Sequence, residues 1–230
     1  MHNKSNSSVY IAMSLEKVHS GPLYIINEAA KLGKLTVGLL SDKAIASYKR
    51  IPDLSFDERK EILNNIKGVN KIIIQDTIHY TKNLKKLKPN YVVHGDHWRN
   101  GPLDHIRKEI ITTLNEWGGK LIEIPYKENK QESLLKKSND FIGTTVDIRR
   151  VKLKRLIESK ELVRVLETHS PLSALIVENI SLKIDDCVKE FDAMWSSSLT
   201  DSTLRGKPDI EAVDNSSRMQ TINDIFEVTT

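Results

Sequence analysis

The 230-residue chain is 39% hydrophobic and 29% charged, with a formal net charge of +4, which describes a globular protein with a core of ordinary size. No run of about 18 apolar residues is present, so no membrane-spanning helix is expected. The start, Met1-His2-Asn3-Lys4-Ser5-Asn6-Ser7-Ser8, lacks the apolar core of a secretion signal, and the single cysteine, Cys187, excludes an internal disulfide and a multi-thiolate metal site. A cytoplasmic location is the expectation.

Residues 1–8 read as a disordered tail. Val9–Met13 then reads as a strand, and a helix with Leu23, Ile26 and Ala30 on one face follows, opened by Pro22 and closed by Gly33. Leu35–Leu40 is a second buried strand. Ser55 and Glu58 have the spacing of a capping box, which predicts a helix reaching about Lys67. Lys71–Ile74, Tyr91–His94 and Lys120–Ile124 are further short β-rich runs separated by helical patterns. This alternation predicts an α/β fold, a parallel sheet with helices on both faces. Ligands bind such sheets beyond the C-terminal ends of strands, where His19, Asp42 and His94–Trp98 fall.

From Tyr126 to about Asn139 the chain is polar and lysine-rich, and Asp147–Lys160 is basic and helix-prone. Leu162–His169 reads as a strand, Ser170–Asn179 as a capped helix, Phe191–Trp195 as a short strand and Val213–Glu227 as a helix. The expected domains are therefore 9–126, a linker and helix at 127–160, and 161–230.

Charge divides unevenly along the chain. Residues 1–150 carry 25 Lys and Arg against 17 Asp and Glu, whereas residues 151–230 carry 10 against 14. A basic first part fits a polyanionic ligand such as a nucleoside triphosphate. Nucleic acid fits less well, because the cations are scattered among acids with few aromatics between them.

The turn His19-Ser20-Gly21-Pro22 places a glycine at the mouth of a helix, where backbone N–H groups and the helix dipole favour a phosphate. With Ser41–Arg50, Glu58-Arg59-Lys60, Asn64–Val69 and Val93-His94-Gly95-Asp96-His97-Trp98, it resembles the cytidylyltransferase family. The likeness is to the type acting on 2-aminoethylphosphonate and related phosphonates, often fused to phosphoenolpyruvate mutase. That resemblance implies a Rossmann-like nucleotidyltransferase domain using CTP with Mg²⁺, a small phosphonate or phosphate acceptor, and release of pyrophosphate. It implies His19 and Lys49 as catalytic groups and Ser14, Gly21, Arg59, Asp96 and Trp98 as nucleotide-binding. No metal-ligand residues are expected in the chain. On the residues alone, Lys49 and Arg50 also read as a solvated pair, Arg59 as an exposed helix charge and Trp98 as ordinary core.

The sequence departs from the family pattern in three places. Pro22 stands where the family has a second histidine, which removes an imidazole and one backbone N–H. His97 stands where it has a second aspartate. Residues 127–133, Lys-Glu-Asn-Lys-Gln-Glu-Ser, replace a serine- and threonine-rich turn. Loss of one preorganised donor typically costs about 10²–10³ in rate. A catalytically inactive nucleotide-binding or interaction protein is therefore the alternative expectation.

His169–Asn179, Trp195–Leu199, Gly206–Asp209 and Ser216–Glu227 resemble the first part of phosphoenolpyruvate mutase, a (β/α)₈ barrel. The resemblance implies an incomplete barrel, with Trp195, Ser197, Ser198, Leu199 and Asp209 as vestigial phosphonate-binding residues. Only the first two barrel strands are expected within 161–230, so neither closure nor the family's metal site is expected, and mutase activity is not. Unpaired strand edges leave three outcomes open: the fragment packs on the first domain, pairs with another chain as a homo-oligomer or with a covering partner chain, or stays partly disordered.

Overall fold

In the computed structural model, residues 7–98, 103–125, 145–184 and 187–229 are described. Residues 1–6 of the expected tail, and residues 127–144 of the expected linker with its altered 127–133 stretch, lie outside them. The chain divides into two compact units, residues 1–130 and 131–230.

The first unit alternates strand and helix. Its strands are β1 (Ser8–Met13), β2 (Lys34–Leu40), β3 (Val69–Gln75), β4 (Tyr91–Gly95) and β5 (Lys120–Ile124). Between them run α1 (Ser20–Ala30), α2 (Asp42–Ala46), α3 (Phe56–Asn64), α4 (Thr81–Leu87) and α5 (Asp104–Asn115). The strands form one parallel sheet in the order β3-β2-β1-β4-β5. Side chains alternate across it as the pleat requires. Val9, Ile11, Leu35, Val37 and Leu39 face one layer with Ile26 and Ala29 of α1 and Leu63 of α3. Tyr10, Ala12, Leu40 and Val92 face the other, with Ile45 of α2, Leu84 of α4 and Ile106, Ile110 and Leu114 of α5. Both faces are covered, which is why the strands read as short apolar runs.

Strand order reverses between β1 and β4. Their ladder pairs Val9 with Tyr91 and Tyr10 with Val92, whereas β1 continues to Met13 and β4 to Gly95. The two strands part toward their C-terminal ends, which creates the crevice that ligands use in sheets of this kind.

A polar cluster is buried on the α2 and α5 face. The Tyr10 hydroxyl donates to Gln75 Oε1 at 2.5 Å, and Asn83 Nδ2 donates to the same oxygen at 2.6 Å. Tyr10 reaches Gln75 by crossing Gly38, where a β-carbon would lie 1.9 Å from the phenol oxygen. Glycine is required there by close approach, not by backbone angle. Burial pushes the Tyr10 phenol well up, so it stays a neutral donor.

Several expected boundaries shift. Helix α3 carries the expected capping box, with Ser55 accepting from the Glu58 N–H and Glu58 accepting from the Ser55 N–H, but it ends at Asn64 and not near Lys67. Helix α1 begins at Ser20 and is capped by His19, so Pro22 sits third in the helix. Proline is tolerated there because the first N–H groups of a helix have no intrahelical acceptor.

The second unit contains α6 (Val146–Ser159), β6 (Val165–Glu167), α7 (Pro171–Asn179), β7 (Ser181–Ile184), β8 (Cys187–Glu190), β9 (Ala193–Trp195), α8 (Ser198–Leu204) and α9 (Asn215–Val228). β6 and β9 pair in parallel, with α7 between them in sequence, forming a single β-α-β crossover. β7 and β8 form an antiparallel hairpin within that crossover. The expected strand over Leu162–His169 shrinks to three residues, because its partner β9 offers only three. Its start is fixed by Asp192, whose carboxylate accepts from Lys160 Nζ at 2.5 Å and from the Arg164 N–H at 2.9 Å. The polar stretch after Trp195 is partly helical as α8, and the hairpin was not expected. Ser170 caps α7 as expected, exchanging hydrogen bonds with Ser173.

Candidate functional site

The candidate residues of the first unit gather at the C-terminal edge of its sheet, because a parallel sheet sends every strand exit to one side. Leaving β1, the chain passes Ser14, Leu15 and Glu16 before reaching His19. Leu15 adopts φ 49°, a left-handed conformation that is costly for a branched side chain. Its side chain is 3% exposed and packs into the core, which offsets that cost. The turn is thereby fixed, with Ser14 and Glu16 on the outside of it.

Arg59 holds the underside of this turn. It is fully buried, and its guanidinium donates to the carbonyls of Ser14 at 2.6 Å, Leu40 at 2.8 Å and Leu54 at 3.3 Å. It also pairs with Asp42 Oδ1 at 2.8 Å. The exits of β1 and β2 are thus tied to one side chain on α3. Of the two readings of Arg59 from sequence, the exposed helix charge is excluded by this burial. Its guanidinium is engaged by the carbonyls of the strand exits and by Asp42.

Lys49, three residues beyond α2, extends to the same turn. Its Nζ donates to Ser14 Oγ at 3.2 Å and forms an ion pair with Glu16, while Ser14 Oγ donates to Glu16 Oε1 at 3.0 Å. Burial pulls the Lys49 amine down, but the Tyr48 phenol and the Glu16 carboxylate outweigh it, so the ammonium form is favoured above its ordinary range.

His19 caps α1, and its Nδ1 accepts from the Gly21 N–H at 3.2 Å. In the neutral ring the proton then sits on Nε2, which leaves that nitrogen as the donor side. Of the first three positions of α1, one N–H is committed and one is missing: Gly21 donates to His19, and Pro22 has no N–H. That is a poorer phosphate cradle than the turn's glycine implied.

On the opposite wall, a 3₁₀ turn over Asp96–Trp98 continues directly from β4. The Trp98 ring lies on the His94 ring, with centroids 3.6 Å apart, and meets Tyr80 edge-on at 5.9 Å. Tyr80 in turn meets Tyr10 edge-on at 6.0 Å. Trp98 is half-buried in this aromatic stack, consistent with the packing role that its sequence position left open.

Ser14, His19, Gly21, Lys49 and Arg59 therefore share the β1–β2 side of the edge, and Asp96 and Trp98 follow β4. Three participants had not been singled out as site residues: Glu16, Asp42 and Tyr48. Asp42 carried a signal, since it lies two residues past a buried strand, where the sequence already set it beyond the strand end. Glu16 carried none, since its partner lies 33 positions away.

In the second unit, Trp195 ends β9 and is 62% exposed, and Leu199 is 59% exposed. Ser197 is the N-cap residue of α8. Ser198 Oγ donates to Asp209 Oδ2 at 3.4 Å, so two of the expected vestigial residues do meet.

Residues 153–230 match the family model of phosphoenolpyruvate phosphomutase. The chain is 28% identical over 98 residues to an FAD synthase of Methanosphaera stadtmanae, a match covering 41% of this chain and 66% of that relative. It is also similar to the crystal structure of a lipopolysaccharide core biosynthesis protein from Thermoplasma volcanium GSS1, at 20% identity and a TM-score of 0.45, over 52% of this chain and 97% of that one. The chain thus carries a phosphoenolpyruvate-phosphomutase-like part over residues 153–230. No helix among the described residues is long and apolar enough to cross a membrane.

Proposed function

We propose that the first unit is a cytidylyltransferase, transferring CMP from the Mg²⁺ complex of CTP to a small phosphonate or phosphate acceptor and releasing pyrophosphate. The observation that carries this reading is the convergence of His19, Ser14 and Lys49 at the C-terminal edge of the sheet, where β1 and β4 part. The triphosphate lies over the start of α1, with Lys49 holding its charge and His19 Nε2 donating to oxygen on the α-phosphorus as charge builds there. Arg59 keeps the β1 exit in place beneath it. The nucleotide and its acceptor meet in the crevice, with Asp96 on the β4 wall.

Among the described residues, no three His, Cys, Asp or Glu side chains are grouped to hold a metal ion. Mg²⁺ is read as entering with the substrate, as the family resemblance implies, since it is commonly held by substrate phosphates with few protein ligands. Preference for CTP and for a phosphonate acceptor rests on the family resemblance alone. Residues 153–230 are read as a phosphoenolpyruvate-mutase-like part.

A second reading, nucleotide binding without turnover, is favoured by Pro22 and by the commitment of the Gly21 N–H to His19. One experiment separates the two. The protein is incubated with CTP, Mg²⁺ and either 2-aminoethylphosphonate or phosphocholine, and pyrophosphate is measured. Release that falls about 10²–10³-fold in His19→Ala is the result expected of the enzyme. No release above that control, with CTP still raising the unfolding temperature, establishes the binding protein instead. Restoration of turnover by Pro22→His would assign the loss to that position.

A further inference from the structure

The ion pair between Lys49 and Glu16 has a chemical meaning that goes beyond the catalytic reading, although it rests on Lys49 being the phosphate clamp. Glu16 lies in the segment between β1 and α1, on the outside of the turn fixed by Leu15. Its carboxylate receives two donors, the Lys49 ammonium and the Ser14 hydroxyl. Those are the donors a phosphate oxygen would use at this edge, since phosphate and carboxylate oxygens compete for the same charge-assisted hydrogen bonds. Neither partner is deeply buried: the side chains of Lys49 and Glu16 are 36% and 39% exposed. The pair can therefore be opened by an incoming anion at small cost.

We infer that Glu16 is an internal anion occupying the phosphate clamp, an intramolecular competitor that a polyphosphate must displace from Lys49 and Ser14 before it binds. Glu16 thus sets how strong an anion the site accepts. In the unliganded protein it also holds the Lys49 side chain extended toward the β1 exit, ready to receive the ligand that replaces it. Its effect runs through Lys49, which distinguishes it from a general contribution of negative charge near the site.

The test is a double-mutant cycle read by calorimetric binding of Mg–CTP and, separately, of inorganic pyrophosphate, with the full chain and its Glu16→Gln, Lys49→Met and double variants. Thermal unfolding of each variant confirms that it is folded. Glu16→Gln is expected to tighten both ligands about two- to fivefold, the range set by a half-exposed ion pair that no longer has to break. Lys49→Met is expected to weaken both, and in that background Glu16→Gln should change affinity by less than about twofold. Unchanged or weaker binding by Glu16→Gln, with Lys49→Met still weakening it, overturns the inference and leaves the nucleotide site standing. An equal gain from Glu16→Gln with and without Lys49 also overturns it, since the effect would then be long-range charge. Absence of binding by every variant overturns the nucleotide site and the inference together.

Discussion

Arg59 and Asp42 pair at 2.8 Å across the ends of two neighbouring strands, with the arginine side chain wholly excluded from solvent. The same guanidinium donates to the carbonyls at the exits of β1 and β2, so the floor of the candidate site and the packing of α3 depend on one residue.

Removing it should be severe. Arg59→Ala removes the ion pair to Asp42 and the hydrogen bonds to three carbonyls, at an expected cost of about 3–5 kcal/mol. Arg59→Lys should recover only part of that, because an ammonium cannot reproduce the planar fork. Urea unfolding of the two variants measures both effects. A loss below about 1 kcal/mol for Arg59→Ala would show that the network is not what fixes the strand exits.

Gly38→Ala sets a β-carbon against the Tyr10 phenol oxygen and ring. Overpacking of this kind should cost about 1–3 kcal/mol. Tyr10→Phe alone removes the bond to Gln75 and should cost about 1 kcal/mol. Combined, the two changes should cost less than their sum, because the phenylalanine lacks the oxygen nearest the added methyl group. Additive losses in thermal unfolding would show that the sheet relaxes around position 38 some other way.

Glu109 on α5 gives a pH signature. Burial pushes its carboxyl up, but hydrogen bonds from Thr81 and His79 outweigh this and hold it below its ordinary range. A carboxylate with a depressed folded-state pKa stabilises the protein above its unfolded value, and that contribution disappears as pH falls through the folded value. The stability difference between the wild-type protein and Glu109→Gln should therefore shrink as pH falls below about 4.5. A difference independent of pH between 3 and 7 would contradict this.

In the second unit, Asp192 joins the start of β6 to β9 through Lys160 and the Arg164 N–H, and its side chain is 5% exposed. Asp192→Ala should cost about 3 kcal/mol, as expected when one partner of a buried pair is removed. Faster amide exchange at Val165–Glu167 in that variant would confirm that the clip maintains the parallel pair.

The sheet was legible from sequence because its strands are buried on both faces and separated by helices with clear start signals, such as Ser55 with Glu58. Lys120–Ile124 was read to the residue. The second unit was harder. A three-residue strand such as β6 has no period to detect, and the sequence around β7 and β8 holds no glycine to announce a hairpin. At the site, His19 and Lys49 were readable because a motif names them. The burial of Arg59 was not, since four acceptors drawn from residues 14, 40, 42 and 54 converge on it only after the sheet has formed. Glu16 was hidden for the same reason: its pairing depends on a fold, not on a spacing.

The place of β1 in the sheet has a consequence for synthesis. It is the first strand of the unit to be made, yet it lies at the centre, between β2 and β4. Until Tyr91–Gly95 leaves the ribosome, one edge of β1 has no partner and the apolar side chains on both its faces lack their full cover. Roughly eighty residues of chain must emerge while that hydrophobic ribbon waits. A nascent chain of this design is open to wrong pairing over that interval, and slowing translation between β3 and β4 should lower the soluble yield.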